Sequence, residues 1–308
     1  MQEIRFDGQV AIVTGAGLGL GRAHALALAA RGARVVVNDL GSAIDGTGGS
    51  QSPAQQVVDT IHEAGGEALA NSADVTRPEQ VEAMVAAAMA RWGRVDILIN
   101  NAGVLRDKSF AKLSLDDFRF VMEVHVMGTV HCCKAVWDIM RAQNYGRIVM
   151  TSSPSGLFGN YGQANYAAAK MAVIGLMHTL QIEGGKHNIR VNALAPAAAT
   201  RMTEGLLPPE LAQQLSPEAV TAGLLTLADA DAPTNVILMT AAGHYARCRI
   251  VESEGLLLHG DSIGPEAIRA AWDQVEDTGQ QRAYANSPEQ AVRLMARLAE
   301  AQGKPHAP

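Results

Sequence analysis

Cysteine, lysine and aromatic residues are all scarce in this chain, and each scarcity narrows what it can be. Three cysteines, Cys132, Cys133 and Cys248, cannot complete an even disulfide framework. Neighbours at 132 and 133 would also point ~100° apart on a helix. A reducing, cytoplasmic setting is the expectation. His131 beside that pair lacks CxxC spacing and a second ligand pair, which argues for packing and against a metal site. Aromatics make up 4% of the residues and the net charge is −6, with no basic block interleaved with aromatics, so neither nucleic acid nor an anionic membrane is an expected partner. Apolar runs fall short of the ~20 residues of a membrane span. The opening "MQEIRFDGQV" carries acids and no apolar core, so a secretory leader is not expected.

What is present is a long alternation. With 308 residues, 48% of them apolar, the chain can bury an ample core. Short runs rich in Val, Ile and Leu ("QVAIVTG", "ARVVVNDL", "GEALANSADV", "VDILINNAG", "GRIVMTSS", "IRVNALAP") alternate with five helix-period segments, and "TNVILMT" reads as a seventh strand. The pattern predicts an α/β fold, a doubly wound parallel sheet with helices on both faces, over residues 1–243. Residues 244–308 form an extension with a hairpin ("HYARCRIVESEGLLLHGD") and a helix ("GPEAIRAAWDQVED"), expected to pack on the same domain or on a partner subunit. Residues 41–53 read as a Gly/Ser-rich loop and 200–218 as a mobile lid.

The first strand runs into "TGAGLGLGR", with Thr14 before glycines at 15, 19 and 21. Between a strand and a helix, glycines allow a tight turn and close approach to a pyrophosphate, which the helix N-terminus attracts. Eighteen residues past Gly21, Asp39 ends the second strand, where its carboxylate can accept from adenosine ribose hydroxyls and repel a 2′-phosphate. That predicts NAD over NADP; the alternative is a carboxylate that merely caps a turn. Asp74 and Val75 follow the third strand, and "NNAG" (Asn101, Ala102 and Gly103 within it) follows the fourth, all at carboxyl ends where open α/β sheets bind ligands. Further on, Tyr166 and Lys170 stand four residues apart on an alanine-rich helix, so the phenol and ammonium can meet. A surface pair is the plain alternative. Thirteen residues before Tyr166, Ser153 closes the fifth strand.

Taken in order, TGxxxGxG at 14–21, "NNAG" at 100–103, Ser153 and YxxxK at 166–170 resemble the short-chain dehydrogenase/reductase family over residues 5–243. The resemblance implies an NAD-dependent enzyme that interconverts a secondary alcohol and a ketone and assembles as a homodimer or homotetramer. Tyr166 would be the general acid/base, Ser153 would hold the substrate oxygen, and Lys170 would bind the nicotinamide ribose. Physically, a phenol titrating near ~10 is a poor base at neutrality unless an ammonium and a positive nicotinamide stabilise its anion. Two positions depart from the family. Pro196-Ala197 stands where Pro-Gly is usual, followed by Thr200 as a further cofactor contact. In "VMEVHVMGTV", His125 replaces an asparagine that supports the proton relay. His125 is expected to face the active site and, titrating near neutrality, to add a limb to the pH–rate profile.

Finer wording, including "AGVLRDKSF" and "YGRIVMTSSPSGLFGNYGQANYAAAK", is similar to the (3R)-hydroxyacyl-CoA dehydrogenase branch found in peroxisomal multifunctional β-oxidation enzymes. This implies oxidation of a (3R)-hydroxyacyl-CoA to the 3-oxoacyl-CoA. A 17β-hydroxysteroid dehydrogenase is the alternative, and a dinucleotide-binding regulatory module without turnover a distant third. The closing "GKPHAP" carries no peroxisomal SKL-type address, so a free-standing cytosolic enzyme is expected.

Overall fold

A computed structural model describes residues 3–50, 52–198 and 215–301; Thr200 and most of the segment expected to form a lid lie outside the described residues. The chain divides into two compact units, Met1–Arg247 and Cys248–Pro308.

The first unit is built on β1 (Val10–Thr14), β2 (Arg34–Asn38), β3 (Ala68–Asn71), β4 (Ile97–Asn100), β5 (Gly146–Thr151), β6 (Ile189–Ala197), β7 (Ile237–Ala241) and β8 (His244–Cys248). Their order is β3-β2-β1-β4-β5-β6-β7-β8, and the first seven run parallel. Val10 to Thr14 are all buried, as a strand covered on both faces requires. The helices α1 (Gly19–Ala30), α2 (Ser52–Glu63), α3 (Pro78–Trp92), α4 (Leu115–Met122), α5 (Gly128–Gln143), α6 (Pro154–Phe158), α7 (Ala164–Gly184) and α8 (Pro217–Ala228) fill the crossovers. Local chemistry sets several ends: Ser114 accepts from the Asp117 amide to cap α4, Ser216 accepts from Ala219 to cap α8, and Gly93 closes α3 in the left-handed region. Strand order reverses between β1 and β4, which opens a crevice at their carboxyl ends.

The eighth strand is one more than the apolar runs predict. Ala242 and Gly243, at φ +46° and +80°, turn the chain straight from β7 into β8. Two residues with positive φ are the signature of a tight hairpin, so His244–Cys248 extends the main sheet as an edge strand. The hairpin predicted wholly within the tail is therefore shared with the sheet. A second difference lies between α4 and α5. There Glu123–Met127 forms a π turn, and His125 sits at its centre.

The second unit pairs β9 (Glu252–Ser253) with β10 (Gln281–Arg282) antiparallel, beside α9 (Pro265–Ala270), α10 (Trp272–Glu276) and α11 (Ser287–Ala301). The helix predicted over "GPEAIRAAWDQVED" is two short ones, broken at Ala271. Glu254 draws in Arg282, Arg293 and Arg297 and ties α11 to the ribbon.

Candidate active site

The crevice at the switch point is a cleft of about 440 Å³ lined along its length by the glycine turn, the β2 and β3 ends, the 101–105 segment and the tyrosine helix. Gly15 has φ +62°, and a side chain there would sit 2.8 Å from the Ala102 Cα. A side chain at Gly21 would run into the Gly15 carbonyl. The turn can therefore pack against the segment after β4 and against its own helix only because these positions are glycine. Leu18 gives α1 no side-chain cap, so the first amides of that helix remain for an anion. Cleft shape and bare helix end fit a dinucleotide pyrophosphate.

Asp39 reaches this turn directly: Oδ2 accepts from the Gly17 amide at 2.7 Å and Oδ1 from the Gly41 amide at 2.7 Å. The carboxylate therefore caps a turn, the plain alternative read from the sequence, and it also lines the cleft. Thr14 is different. It is buried, and its hydroxyl accepts from the amides of Asn101 and Ala102 at 3.0 and 3.1 Å. The Asn101 side-chain amide in turn donates to the carbonyls of Thr14 and Gly15, both at 3.0 Å. Thr14, predicted as a cofactor contact, instead ties β1 to the loop after β4 and does not face the cleft. Gly19, Asp74, Val75, Ala102, Gly103 and Pro196 do line it.

At the other end Ser153, Tyr166, Lys170 and His125 come together. Ser153 follows β5 and accepts from the Ser155 amide at 3.1 Å, and its hydroxyl favours ionisation of the Tyr166 phenol. The Lys170 ammonium donates to the Thr151 carbonyl at 2.7 Å and lies 5.5 Å from the centre of the Tyr166 ring. The His125 ring meets Tyr166 edge-on, centroids 5.3 Å apart and planes at 90°. Nε2 of His125 lies 3.1 Å from the Val104 amide and 2.9 Å from the Val104 carbonyl; the tautomer decides which bond it makes. Nδ1 is buried with no partner among the described residues. Gly103 presses against this ring, and a side chain there would collide with it.

Burial controls the electrostatics. It pushes the Tyr166 phenol up to about 12, opposed by the Ser153 hydrogen bond and reinforced by the negative charge of Asp107. It brings Lys170 down to about 7. His125 falls well below the usual imidazole value, through burial first and the neighbouring Lys170 charge second. The protein alone thus keeps the phenol protonated at neutral pH, and the phenolate expected from the sequence needs the positive nicotinamide as well. The expected neutral-pH titration of His125 is likewise corrected, since a buried imidazole beside a cation stays neutral. Chemically, the cluster offers a proton donor and acceptor, a hydroxyl to hold an oxygen, and an amine beneath both.

The 104–108 segment, quoted in the sequence only for its likeness to relatives, has a structural role that the sequence did not assign. Asn165 donates to the Arg106 carbonyl at 3.0 Å and accepts from the Tyr166 amide at 2.8 Å, while Gln163 donates to Asp107 at 2.6 Å. These bonds fix the start of α7, and with it the tyrosine; the two that reach Arg106 and Asp107 span 59 and 56 residues and leave no local signal. Elsewhere, Cys132 and Cys133 are buried free thiols, and burial raises both. No cluster of three metal-ligating side chains occurs among the described residues. Nor is any described helix long and apolar enough to cross a membrane.

The chain is similar to several known proteins. The peroxisomal hydratase-dehydrogenase-epimerase of Saccharomyces cerevisiae is 47% identical over 277 residues, which is 89% of this chain and 31% of that protein. The solved full-length peroxisomal multifunctional enzyme type 2 from Drosophila melanogaster superposes with a TM-score of 0.81 at 36% identity, over 96% of this chain and 50% of that one. A 7α-hydroxysteroid dehydrogenase complexed with NADH and 7-oxo glycochenodeoxycholic acid superposes at 0.70 with 32% identity, over 78% of this chain and 95% of that one. The chain thus spans about a third to a half of the multifunctional proteins it matches. The short chain dehydrogenase family matches residues 9–210, glycine turn and tyrosine helix included, and the chain belongs to that family.

Proposed function

We propose that this chain oxidises the 3-hydroxyl of a (3R)-hydroxyacyl-CoA to the 3-oxoacyl-CoA, with NAD as acceptor. The observation that carries the reading is the convergence of Ser153, Tyr166 and Lys170 at the carboxyl end of β5, in one cleft with the glycine turn. A nicotinamide bound in this cleft supplies the hydride acceptor and a positive charge. Ser153 holds the substrate oxygen by its hydroxyl, and Tyr166 takes the alcohol proton in oxidation or returns it in reduction. Lys170, anchored on the Thr151 carbonyl, lies beneath the phenol and favours its anion when charged. His125 supports the tyrosine ring as a neutral imidazole. The thioester substrate is inferred from the names of the multifunctional relatives.

NAD is the expected cofactor because a 2′-phosphate would meet Asp39, whose carboxylate is already fixed by two amides. Like charge and lost hydroxyl contacts cost of order 1–3 kcal/mol, or tenfold or more in kcat/KM. Asp39→Ser should narrow the preference and also loosen the Gly17 turn. A homodimer or homotetramer fits α7, which leaves the large apolar side chains of Met171 and Ile182 exposed. Light scattering would read that assembly. A cytoplasmic location rests on unpaired cysteines, whereas the relatives bear peroxisomal names.

The second reading, a hydroxysteroid dehydrogenase, is favoured by the likeness to the 7α-hydroxysteroid enzyme. Both substrates present a secondary alcohol beside apolar bulk. Incubating the protein with NAD or NADP and a panel of (3R)- and (3S)-hydroxyacyl-CoA esters and hydroxysteroids, following absorbance of the reduced cofactor, separates the readings. Preference for a steroid would overturn the first, and no turnover with any alcohol would favour a binding module.

A further inference from the structure

Residues 40–50 form a built strap and not a slack Gly/Ser loop. The Ala43 amide donates to the Thr47 carbonyl at 2.8 Å, Gly46 to Ala43 at 3.0 Å, and Ser50 to Leu40 at 2.9 Å. Asp45 accepts from the Thr47 amide and hydroxyl at 3.0 and 2.8 Å. The strap starts beside Asp39 and crosses the cleft. Its far side is pinned where the Leu105 amide donates to the Ile44 carbonyl at 2.9 Å. Leu40, Ser42, Ala43, Ile44 and Gly46 line the same cleft as Asp74 and Val75 at the end of β3. This end lies outside β2 and β3, where a dinucleotide in such a crevice places its adenosine.

One side chain fastens the crossing. The Arg106 guanidinium lies 3.9 Å from the centre of the Phe120 ring, its Nε donates to the Asp45 carbonyl at 3.0 Å, and Nη1 donates to Asp117 at 3.1 Å. Asp117 is itself placed by Ser114 and Lys108. Gly46 has φ +87°, and a side chain there would come within 2.7 Å of the Phe120 ring, so the strap can lie on this ring only as glycine. Arg106 therefore joins the strap to α4 through ring, carbonyl and carboxylate together.

We propose that Arg106 is the latch of a cofactor strap: stacked on Phe120 and holding the Asp45 carbonyl, it keeps residues 40–50 closed over the adenosine half of the bound dinucleotide and sets how fast the cofactor leaves. The proposal rests on the dinucleotide reading of the cleft. Lysine cannot replace the guanidinium, because it lacks the planar face for the ring and the fork for two simultaneous acceptors. Arg106 is a positioning residue, acting through the strap.

The test measures NADH binding and release by its fluorescence in the wild type, Arg106→Ala, Arg106→Lys and Gly46→Ala, each checked for wild-type circular dichroism. In both Arg106 variants the NADH dissociation rate should rise about tenfold, and the KM for NAD should rise more than the KM for the hydroxyacyl substrate. ADP-ribose should weaken in parallel, whereas nicotinamide mononucleotide should not. Gly46→Ala, which displaces the strap with Arg106 intact, should reproduce the faster release. Hydrogen exchange at 41–50 should accelerate in all three. Release within twofold of wild type in both Arg106 variants would overturn the latch while leaving the dinucleotide site standing. Failure of the wild type to bind NADH would overturn the latch and the proposed function together.

Discussion

Arg147 and Lys170 are both buried cations served by the same strand, one at the entry of β5 and the other beyond its exit, and their surroundings differ. The Arg147 guanidinium donates to the carbonyls of Gly146, Asn188, Asp229 and Ala230 and lies 4.2 Å from the centre of the Tyr145 ring. Each of its nitrogens has a partner, and one face has a ring. Lys170 has the single carbonyl of Thr151, and burial drives it toward the neutral amine. A fully satisfied buried charge locks three chain segments at the amino-terminal edge of the sheet. An under-satisfied one at the carboxyl edge keeps donors in reserve for a ligand, at some cost in stability.

Five substitutions would break or sharpen this contrast. The largest effect is expected from Tyr166→Phe, which keeps the ring against His125 and removes the ionisable oxygen. Its kcat should fall about 10²–10⁴-fold with NADH affinity preserved, as read by steady-state rates beside fluorescence titration. At the opposite edge, Arg147→Met strands four carbonyls and should cost roughly 3 kcal/mol in urea unfolding, with kcat per folded molecule unchanged.

Lys170→Met should abolish most turnover yet be at least as stable as wild type at pH 7. The sign follows from the lowered value: between about 7 and the usual 10.5 the unfolded chain binds a proton that the folded chain does not, so wild-type stability rises with pH in that window. The variant's advantage should be greatest at pH 7 or below and shrink toward pH 10.5, measurable by thermal melts at both ends. If the gap were constant with pH, Lys170 would not be held as a strained amine. His125→Asn should change least, within about threefold in kcat, because asparagine can also donate to and accept from Val104. His125→Leu, which loses that bond, should fall about tenfold. Neither should alter the shape of the pH–rate profile near neutrality, since the buried ring stays neutral throughout. A limb that disappears in His125→Asn would restore the titrating role suggested by the sequence.

Much of the sheet was legible because strands covered on both faces must be apolar throughout, and β1, β2 and β4 to β6 leave no other reading for their Val and Ile runs. The glycine turn was legible for a similar reason, since Gly15 and Gly21 sit where any side chain collides. Tyr166 and Lys170 were legible as a helical i, i+4 pair. What was not legible depends on contacts far apart in sequence. The Thr14 hydroxyl looked like a cofactor ligand until Asn101, 87 residues away, was found to occupy it. The strap read only as a Gly/Ser-rich loop because its fastener, Arg106, lies 61 residues from the carbonyl it holds. The π turn at His125 leaves no composition signal, and the reversed electrostatics of Tyr166 and Lys170 follow from burial that no spacing reveals.

The most direct test of the central claim follows the hydrogen itself. (3R)-3-hydroxybutyryl-CoA deuterated at C3 is incubated with NAD and the protein, and the reduced cofactor is analysed by mass spectrometry. The account requires one deuterium on each NADH formed by the wild type, none derived from the (3S) isomer, and at most about one per cent of the wild-type rate in Tyr166→Phe. NADH without deuterium, or deuterated NADH formed at the wild-type rate by Tyr166→Phe, would contradict it.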